Sequence, residues 1–327
     1  MSEIRQDRTN GEWVIIAPSR GERPHARIPA DVKTPRLAVD PNCPFCPGNE
    51  DQLPAIIDEY SRAEIPGWDT RVTANKFPVL STAKQVPSDR LQSGYGNHEV
   101  IIETPRHDID LADMSADCSE AVVRTWHHRF GAALAIPGIE AVMLFRNRGN
   151  LAGASLGHAH SQIVALPLVP PRLRSTLDWS YAHFQRSSKC VVCNEIEREL
   201  ESGKRVIECT ERYAILTPFA AQRPYEQWII PRRHTPLFAM ANADDLAALS
   251  DTLQNALARL RYAKGELSYN LVLEPGSLGG KFAHAAHWSL RVVPHLSNPG
   301  GFELGTGMVI NPSSPERDAL HLAQSRG

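Results

Sequence analysis

The order of sequence motifs in this chain occurs twice, and this repeat limits the possible folds more than any other feature. Each copy begins with a Cys-x-x-Cys pair, at 43–46 and again at 190–193. A short apolar strand follows, then a strand that ends in a turn with proline and histidine, a helical segment and another strand. Each copy closes with a step of seven residues from histidine to proline, His160 to Pro167 and His287 to Pro294. Such self-similarity indicates a duplicated α+β unit.

The two units meet near the middle of the chain. Pro170-Pro171 interrupts the pattern, and a Pro-Pro pair is a favourable place for a boundary. We therefore predict an N-terminal half, residues 1–170, and a C-terminal half, residues 171–327. In the first half, apolar spacing predicts a long helix from Asp110 to about Ala135.

Polar side chains alternate along one segment near the end of the first half. His158, His160 and Gln162 stand at every second position, just before the apolar run 163–166. On a strand, this spacing places all three side chains on one face, close enough to share a ligand. Polar groups on an otherwise apolar strand are unfavourable unless they are bound. The segment is therefore the first candidate for a functional site.

Composition excludes several classes of protein. The 327 residues carry a net charge of −2, so no broad basic surface is available for nucleic acid or anionic lipid. No apolar run approaches the roughly 18 residues of a membrane span. Four of the six cysteines form the two pairs, and in a cytosolic chain such pairs indicate metal or redox chemistry. We predict a soluble, cytoplasmic protein that binds neither nucleic acid nor membrane.

One family pattern accounts for the candidate segment. It carries, in order, Asn147, Gly153, Ser155, His158, His160 and Gln162. This segment resembles the active-site motif of the galactose-1-phosphate uridylyltransferase branch of the histidine-triad superfamily, a branch that includes the plant-type ADP-glucose phosphorylases. The resemblance extends from Arg8 to Pro312. It implies duplicated histidine-triad-like half-barrel units, with a mainly antiparallel sheet and flanking helices.

The resemblance assigns different roles to His158 and His160, whereas strand spacing alone would give them a common role. It implies that His158 binds a metal ion and that His160 attacks the α-phosphorus of a sugar nucleotide. A nucleotidyl-histidine then passes its nucleotide to a second phosphate, by ping-pong kinetics. Hydrolases of the superfamily carry histidine where this chain has Gln162. An amide cannot supply a proton but can donate a hydrogen bond to the phosphoryl oxygens, which favours transfer over hydrolysis.

Two sets of cysteine and histidine are candidates for structural zinc ions. The second copy retains Cys190, Cys193, His234 and His287, a Cys₂His₂ set suited to a tetrahedral site. The resemblance implies the same set in the first copy: Cys43, Cys46, His107 and His158. His98 competes with His107, and His284 is a possible substitute ligand in the second set. A redox role for the first pair is disfavoured because Pro47-Gly48 argues against a helix there.

The resemblance also implies the substrate contacts. They are Arg20 and Arg23 at phosphate, Asn75 and Phe77 beside ribose and base, Asn147, Gly153 and Ser155 at the nucleotide phosphates, and Glu303 at the sugar hydroxyls. The Gly-Gly-Phe-Glu-x-Gly-Thr-Gly form around Glu303 is closer to the ADP-glucose phosphorylase pattern than to that of the typical uridylyltransferases. The base of the nucleotide donor, uracil or adenine, and the identity of the hexose therefore stay open.

Three functions follow from these observations. The first is a UDP-glucose:hexose-1-phosphate uridylyltransferase, and the second an ADP-glucose phosphorylase-like adenylyltransferase. The third is a non-catalytic, zinc-stabilised nucleotide-binding protein. Aligned by the step from histidine to proline, Ala285 and Ser289 replace His158 and Gln162 in the second copy, so that copy cannot perform the same chemistry. The resemblance further implies a homodimer with the active site near the subunit boundary, acting on a sugar nucleotide and a sugar 1-phosphate.

Overall fold

The computed structural model describes residues 2–22, 37–62, 67–82, 94–277, 280–296 and 299–325. Within these residues the strands are β1 (Glu3–Gln6), β2 (Trp13–Ile16), β3 (Ile56–Tyr60), β4 (Thr70–Ala74), β5 (Asn97–Ile102), β6 (Ala141–Arg148), β7 (His160–Leu166), β8 (Val206–Cys209), β9 (Tyr213–Leu216), β10 (Gln227–Pro231), β11 (Tyr269–Glu274), β12 (Ser289–Pro294) and β13 (Val309–Asn311). The α-helices are α1 (Ala116–Leu134), α2 (Pro171–Ser187), α3 (Val191–Ser202), α4 (Ala243–Lys264), α5 (Gly301–Thr306) and α6 (Pro315–Gln324).

Ten of these strands form one sheet, in the order β3-β4-β5-β7-β6-β11-β12-β10-β9-β8. Every pairing in it is antiparallel. Read from either edge inward, the order of strands is the same in the two halves of the chain. This symmetry confirms the predicted duplication and the predicted α+β fold with a mainly antiparallel sheet.

The two repeats join through β6 and β11, which pair from Arg148 opposite Tyr269 to Phe145 opposite Val272. The sheet is therefore continuous across the junction. The predicted boundary at residues 170 and 171 lies between the end of β7 and the start of α2. The division of the chain into domains 1–170 and 171–327 stays a prediction.

Helices cover one face of the sheet. Helices α1 and α4 pack on that face, with Trp126, Phe130 and Leu253 in the largest buried cluster. Trp126 of α1 also donates its indole N–H to Ser161 Oγ of β7 at 2.6 Å. Since successive strand residues point to opposite faces, the neighbours of Ser161 on β7 point away from the helices.

The long helix begins later than predicted. Helix α1 starts at Ala116, after Ser115, whose hydroxyl accepts from Cys118 N at its N-terminus. Asp110 instead caps a short 3₁₀ turn, Leu111–Asp113, by accepting from Leu111 N at 2.7 Å. Its carboxylate also pairs with Arg146. The helix therefore starts at its own cap, Ser115, and Asp110 belongs to a separate turn and to an ion pair that the local apolar spacing did not indicate.

The N-terminal strands pack against the second half of the chain. Strand β2 pairs in parallel with β13, and Val14 and Ile16 pack against Ala220. Arg5 reaches Glu316 of α6 at 2.8 Å, and Glu316 also accepts from Arg205 at 2.7 Å. None of the helices in the described ranges is long and apolar enough to cross a membrane.

We expect Glu316→Gln to lower the free energy of unfolding at pH 7 by about 1–2 kcal/mol, because a charge-assisted pair with two arginines is lost. Burial opposes ionisation of Glu316, but the hydrogen bonds from Arg5 and Arg205 outweigh it and lower its pKa from 4.5 to about 2. The stabilisation is thus complete above about pH 4.5 and disappears as the pH falls toward 2. Urea unfolding at several pH values measures it.

Glu3→Gln is the matched control, since Glu3 also pairs with Arg5 but its side chain is 58% exposed. We expect a change below about 0.5 kcal/mol for this variant. A destabilisation by Glu316→Gln that persists unchanged at pH 2.5 would contradict the electrostatic explanation.

Candidate active site

A loop between β6 and β7 delivers the candidate residues. It turns at Gly149 (φ +80°) and at Gly153 (φ +83°), both in conformations that side chains with a Cβ rarely adopt. Glycine at position 153, a predicted phosphate contact, is thus also favoured by the positive φ angle of the backbone there. The loop and the ends of the two strands enclose a cavity of about 100 Å³, whose lining includes Arg146, Asn147, Ser155, His158 and His160.

A hydrogen bond to the backbone determines which ring nitrogen of His160 carries the proton. Its Nδ1 lies 2.8 Å from the backbone oxygen of His158, and since a carbonyl only accepts, Nδ1 carries the proton. The lone pair is therefore on Nε2. Burial, aided by the positive charge of Arg146, lowers the pKa of His160. A neutral imidazole with a free Nε2 lone pair is a competent nucleophile.

The first set of cysteine and histidine comes together beside His160. Cys43 Sγ and Cys46 Sγ each lie 3.6 Å from His158 Nδ1, and Cys46 Sγ lies 3.6 Å from His107 Nδ1. The Cys-x-x-Cys segment forms turns rather than a helix. Its Phe45 packs edge-on against the His160 ring, with centroids 5.3 Å apart.

The second set has the same arrangement. Cys193 Sγ lies 3.4 Å from His287 Nδ1 and 3.5 Å from His234 Nδ1, and Cys190 Sγ lies 3.9 Å from His287 Nδ1. Here Cys190 precedes α3 directly, so Cys193 lies in its first turn. This set is more exposed than the first.

Both sets fit a tetrahedral metal ion. Zinc bonds of about 2.3 Å to sulfur and 2.1 Å to nitrogen place tetrahedral S and N ligands about 3.6 Å apart, close to the separations above. His158 Nε2 lies 2.7 Å from Thr104 O and His287 Nε2 lies 3.0 Å from Pro231 O. These carbonyls fix the protons on Nε2, so that the Nδ1 lone pairs point toward the cysteine sulfurs. Each cluster thus has the donor set and the spacing of a metal-binding site.

The alternative ligands lie elsewhere. His98 bonds to Gln162, 2.9 Å from its Oε1, and His284 stacks on Phe184. Neither belongs to a cluster, so the geometry favours His107 and His234.

The predicted alignment of the two repeats is wrong by two residues. His287 belongs to the second cluster as His158 does to the first, and each lies two residues before its strand, β12 or β7. Ser289 therefore occupies the position of His160, and Arg291 that of Gln162. The equal spacing from histidine to proline gave the wrong alignment because the two prolines do not occupy equivalent positions. Pro294 is the last residue of β12, whereas Pro167 follows the last residue of β7. The expectation that the second copy lacks the catalytic pair is unaffected.

Gln162 belongs to a small polar network on the face opposite the helices. Its Oε1 lies 2.9 Å from His98 Nε2 and 3.5 Å from Asn75 Nδ2. Asn75 in turn accepts from Phe77 N at 2.8 Å. Asn75, predicted to lie beside ribose and base, thus directs its amide nitrogen at Gln162.

The second repeat contributes a residue to this site. Asn270 of β11 donates from Nδ2 to Ala152 O at 3.0 Å and to Asn147 Oδ1 at 2.8 Å. Because Ala152 O only accepts, the amide of Asn270 has one orientation, and it fixes that of Asn147. His295 Nε2 lies 2.6 Å from Asn270 Oδ1. The Nδ2 group of Asn147 is therefore left for another acceptor.

A buried ion network lies behind the cavity, and sequence reasoning missed it. Arg146 donates to Glu103 Oε2 at 2.8 Å and pairs with Asp110. Burial opposes ionisation of Asp110, but Arg146 and Arg148 outweigh it and lower its pKa. A signal was available: arginines at 146 and 148 alternate within an apolar strand. Phe45, His98 and Asn270 were also missed as parts of the site.

The remaining predicted substrate contacts are spread over the surface. Phe77 is 81% exposed. Arg20 lies exposed in a 3₁₀ turn, and Arg23 falls outside the described residues. Glu303 accepts from Gly300 N at 2.9 Å, at the start of its own helix, α5. Among the contacts of the described residues, none joins these side chains to His160.

Comparison with known proteins gives a consistent result. A sequence profile described as galactose-1-phosphate uridyl transferase, N-terminal domain, matches residues 1–170. The ADP-glucose phosphorylase of Arabidopsis thaliana is 34% identical over 330 residues, which cover 96% of this chain and 90% of that protein. The galactose-1-phosphate uridylyltransferase of Thermotoga maritima is 27% identical and covers 99% of both chains.

Solved structures extend the similarity to the fold. The crystal structure of an ADP-glucose phosphorylase from Arabidopsis thaliana with bound ADP-glucose superposes with a TM-score of 0.87, 31% identity and coverage of 100% and 99% of the two chains. A uridylyltransferase structure superposes with a TM-score of 0.76, 26% identity and coverage of 99% and 98%. From the profile match and these relatives, the chain belongs to the galactose-1-phosphate uridylyltransferase family and is a nucleotidyltransferase.

Proposed function

We propose that the protein transfers the nucleotidyl group of a nucleoside diphosphate hexose to a phosphate-bearing acceptor, through a covalent bond to His160. The observation that carries the proposal is the bond from His160 Nδ1–H to His158 O at 2.8 Å, which leaves the Nε2 lone pair free beside a cavity. The cavity is also lined by Asn147 and Ser155, whose amide and hydroxyl donors suit phosphate oxygens.

The reaction proceeds in two displacements. In the first, His160 Nε2 attacks the α-phosphorus, an N–P bond forms, and the bond from phosphorus to the bridging oxygen breaks as hexose 1-phosphate leaves. The imidazole gains positive charge, and its Nδ1–H stays bonded to His158 O, which stabilises that charge. In the second, an oxygen of the acceptor phosphate attacks phosphorus and the N–P bond breaks. Both leaving groups need no proton from the enzyme.

Hydrogen-bond donors stabilise the charge that builds on the phosphoryl oxygens. The amide groups of Gln162 and Asn147 each have their oxygen bound within the protein. Their NH₂ groups are then the ends available to substrate. This arrangement supports transfer rather than hydrolysis, because neither amide delivers a proton to a leaving group or activates water as a base.

We further propose that zinc occupies both Cys₂His₂ clusters. The donor sets and separations support a closed structural site in each. A bound ion in the first cluster fixes His158, whose carbonyl orients His160. No step of the reaction uses the ion. Burial raises the pKa of the Cys43 thiol to about 11, so metal binding there displaces a proton.

Two donors are candidates. UDP-glucose, with galactose 1-phosphate as acceptor, agrees with the family profile and with the relative from Thermotoga maritima. ADP-glucose, with inorganic phosphate as acceptor, is favoured by the higher identity and TM-score of the Arabidopsis thaliana relative. The Gly-Gly-Phe-Glu pattern at 300–303 supports the same donor.

The wider setting of the enzyme belongs to the proposal as well. We propose a homodimer, with the active site near the subunit boundary and with Arg20, Arg23, Asn75, Phe77 and Glu303 as further substrate contacts. A cytoplasmic location is supported by the six cysteines, all free thiols, since free thiols are typical of a reducing compartment.

The first experiment incubates the protein with ADP-glucose or UDP-glucose carrying ³²P in the α-phosphate. We expect base-stable, acid-labile label on His160 from one donor, released by its acceptor. His160→Ala should lose the label and at least about 10³-fold in kcat, with melting temperature and metal content unchanged. His128→Ala, at an exposed histidine of α1, is the control and should label normally. Turnover by His160→Ala at the wild-type rate, or no label from either donor, would rule the proposal out.

The second experiment separates the two clusters. Cys43→Ser and Cys190→Ser should each remove about one zinc per chain and lower the melting temperature by about 5–10 °C. Only Cys43→Ser should reduce kcat strongly at a temperature where both variants are folded, because only its cluster contains His158. Cys209→Ser, at an exposed cysteine, is the control. Unchanged zinc content in Cys43→Ser would contradict the assignment of the first cluster.

A further inference from the structure

We propose that His98 is a positioning residue, which orients the side-chain amide of Gln162 so that its NH₂ group faces the reacting phosphate. This inference rests on the proposed function, since it gives a reason why Gln162 acts as a donor there. His98 itself lies on β5 and contacts no residue of the metal clusters among the described hydrogen bonds.

The tautomer of His98 follows from its neighbours. The backbone N–H of Val79 donates to His98 Nδ1 at 3.2 Å. Since a backbone N–H can only donate, Nδ1 must be the acceptor and carries no proton. Burial lowers the pKa of His98, so the ring is neutral at pH 7 and its one proton is on Nε2. That proton points at Gln162, 2.9 Å away. The atom of Gln162 that receives it must be the oxygen.

Asn75 gives the same orientation from another direction. Its Oδ1 accepts from Phe77 N at 2.8 Å, so its NH₂ group faces the opposite way, toward Gln162 Oε1 at 3.5 Å. Asn75 Nδ2 also lies 3.1 Å from His98 Nε2. Both atoms carry hydrogens, so this contact is not a hydrogen bond. The two donors approach each other because they share one acceptor.

The second repeat shows that these two positions are built as a pair. Gln162 lies opposite Val100, two residues after His98. Arg291 lies opposite Trp228, two residues after Glu226. On the same diagonal of the sheet, Arg291 and Glu226 form a buried ion pair at 2.5 Å. Each repeat therefore joins these two positions by a hydrogen-bond donor and an acceptor. Of the two, the pair in the first repeat contains a side-chain amide, whose NH₂ group can bind a further acceptor.

The orientation matters because an amide has two unlike ends. With Oε1 bound by His98, the NH₂ group of Gln162 is directed away from β5, on the face of β7 that also carries His160. A reversed amide presents its oxygen to an anionic phosphate, which is repulsive. Since the donor acts most strongly as charge builds, loss of the orientation should lower kcat more than it changes KM.

A matched pair of substitutions tests the role of His98. His98→Asn keeps an acceptor for Val79 N–H but is too short to reach Gln162. His98→Gln reaches it with an NH₂ donor. We expect kcat to fall about 10- to 100-fold in His98→Asn with KM within about twofold, and to stay within about threefold of wild type in His98→Gln. Melting temperature and metal content should be the same in both.

A double-mutant cycle shows whether His98 acts through Gln162. The double variant with His98→Asn and Gln162→Leu should have the same kcat as Gln162→Leu alone, since the amide to be oriented is gone. Multiplied losses in the double variant would overturn the positioning role, as would a wild-type kcat in His98→Asn.

A second readout does not depend on turnover. In protein labelled with ¹⁵N-histidine, the imidazole shifts of His98 should show a protonated Nε2 and an unprotonated Nδ1, and His98→Gln identifies these signals by their loss. The opposite tautomer would overturn the inference by itself. Absence of any nucleotidyl-histidine in the wild type would instead overturn the proposed function, and the role of His98 with it.

Discussion

The bond from His160 Nδ1–H to the carbonyl of His158 is the interaction on which the site depends. It fixes the tautomer of His160, the proposed nucleophile, without any further acid or base. The acceptor belongs to the residue whose ring enters the first Cys₂His₂ cluster, and Phe45, which lies between the two cysteines of that cluster, packs on the His160 ring. In the proposed reaction, metal binding by His158 and the orientation of His160 are thus linked, because the two residues are separated by only one position in the chain. The proposed ion stabilises a geometry and takes part in no chemical step.

The second repeat keeps the framework and lacks the reactive groups. Its cysteine and histidine cluster matches the first, but Ser289 stands at the position of His160 and a buried ion pair replaces the pair of His98 and Gln162. The N-terminal strands pack on this half, where Glu226, Ser289 and Arg291 are all buried. The positions that are proposed to face substrate in the first repeat therefore belong to the packed interior in the second.

Sequence reasoning reached the elements that depend on local patterns. The duplication, the strand carrying His160 and the two Cys-x-x-Cys pairs could be inferred because each has a fixed spacing along the chain. The histidines of the first ligand set were assigned from the family resemblance. What it missed depends on contacts across the sheet. The pairing of His98 with Gln162 is diagonal between strands, and the partner of Asp110, Arg146, lies on a strand distant in sequence. The two-residue error in the alignment of the repeats arose because a proline marks the end of a strand only approximately.

The hydrogen bond from Asn270 to Asn147 has a consequence for how such a protein diverges after duplication. This bond spans the junction of β6 and β11, so the second repeat orients a side chain that lines the cavity of the first. If the proposed reaction takes place in the first repeat, substitutions in the second repeat also affect it. Loss of the second repeat would remove the side-chain partner that holds the Asn147 amide across the strands, so we expect the two repeats to evolve as one unit.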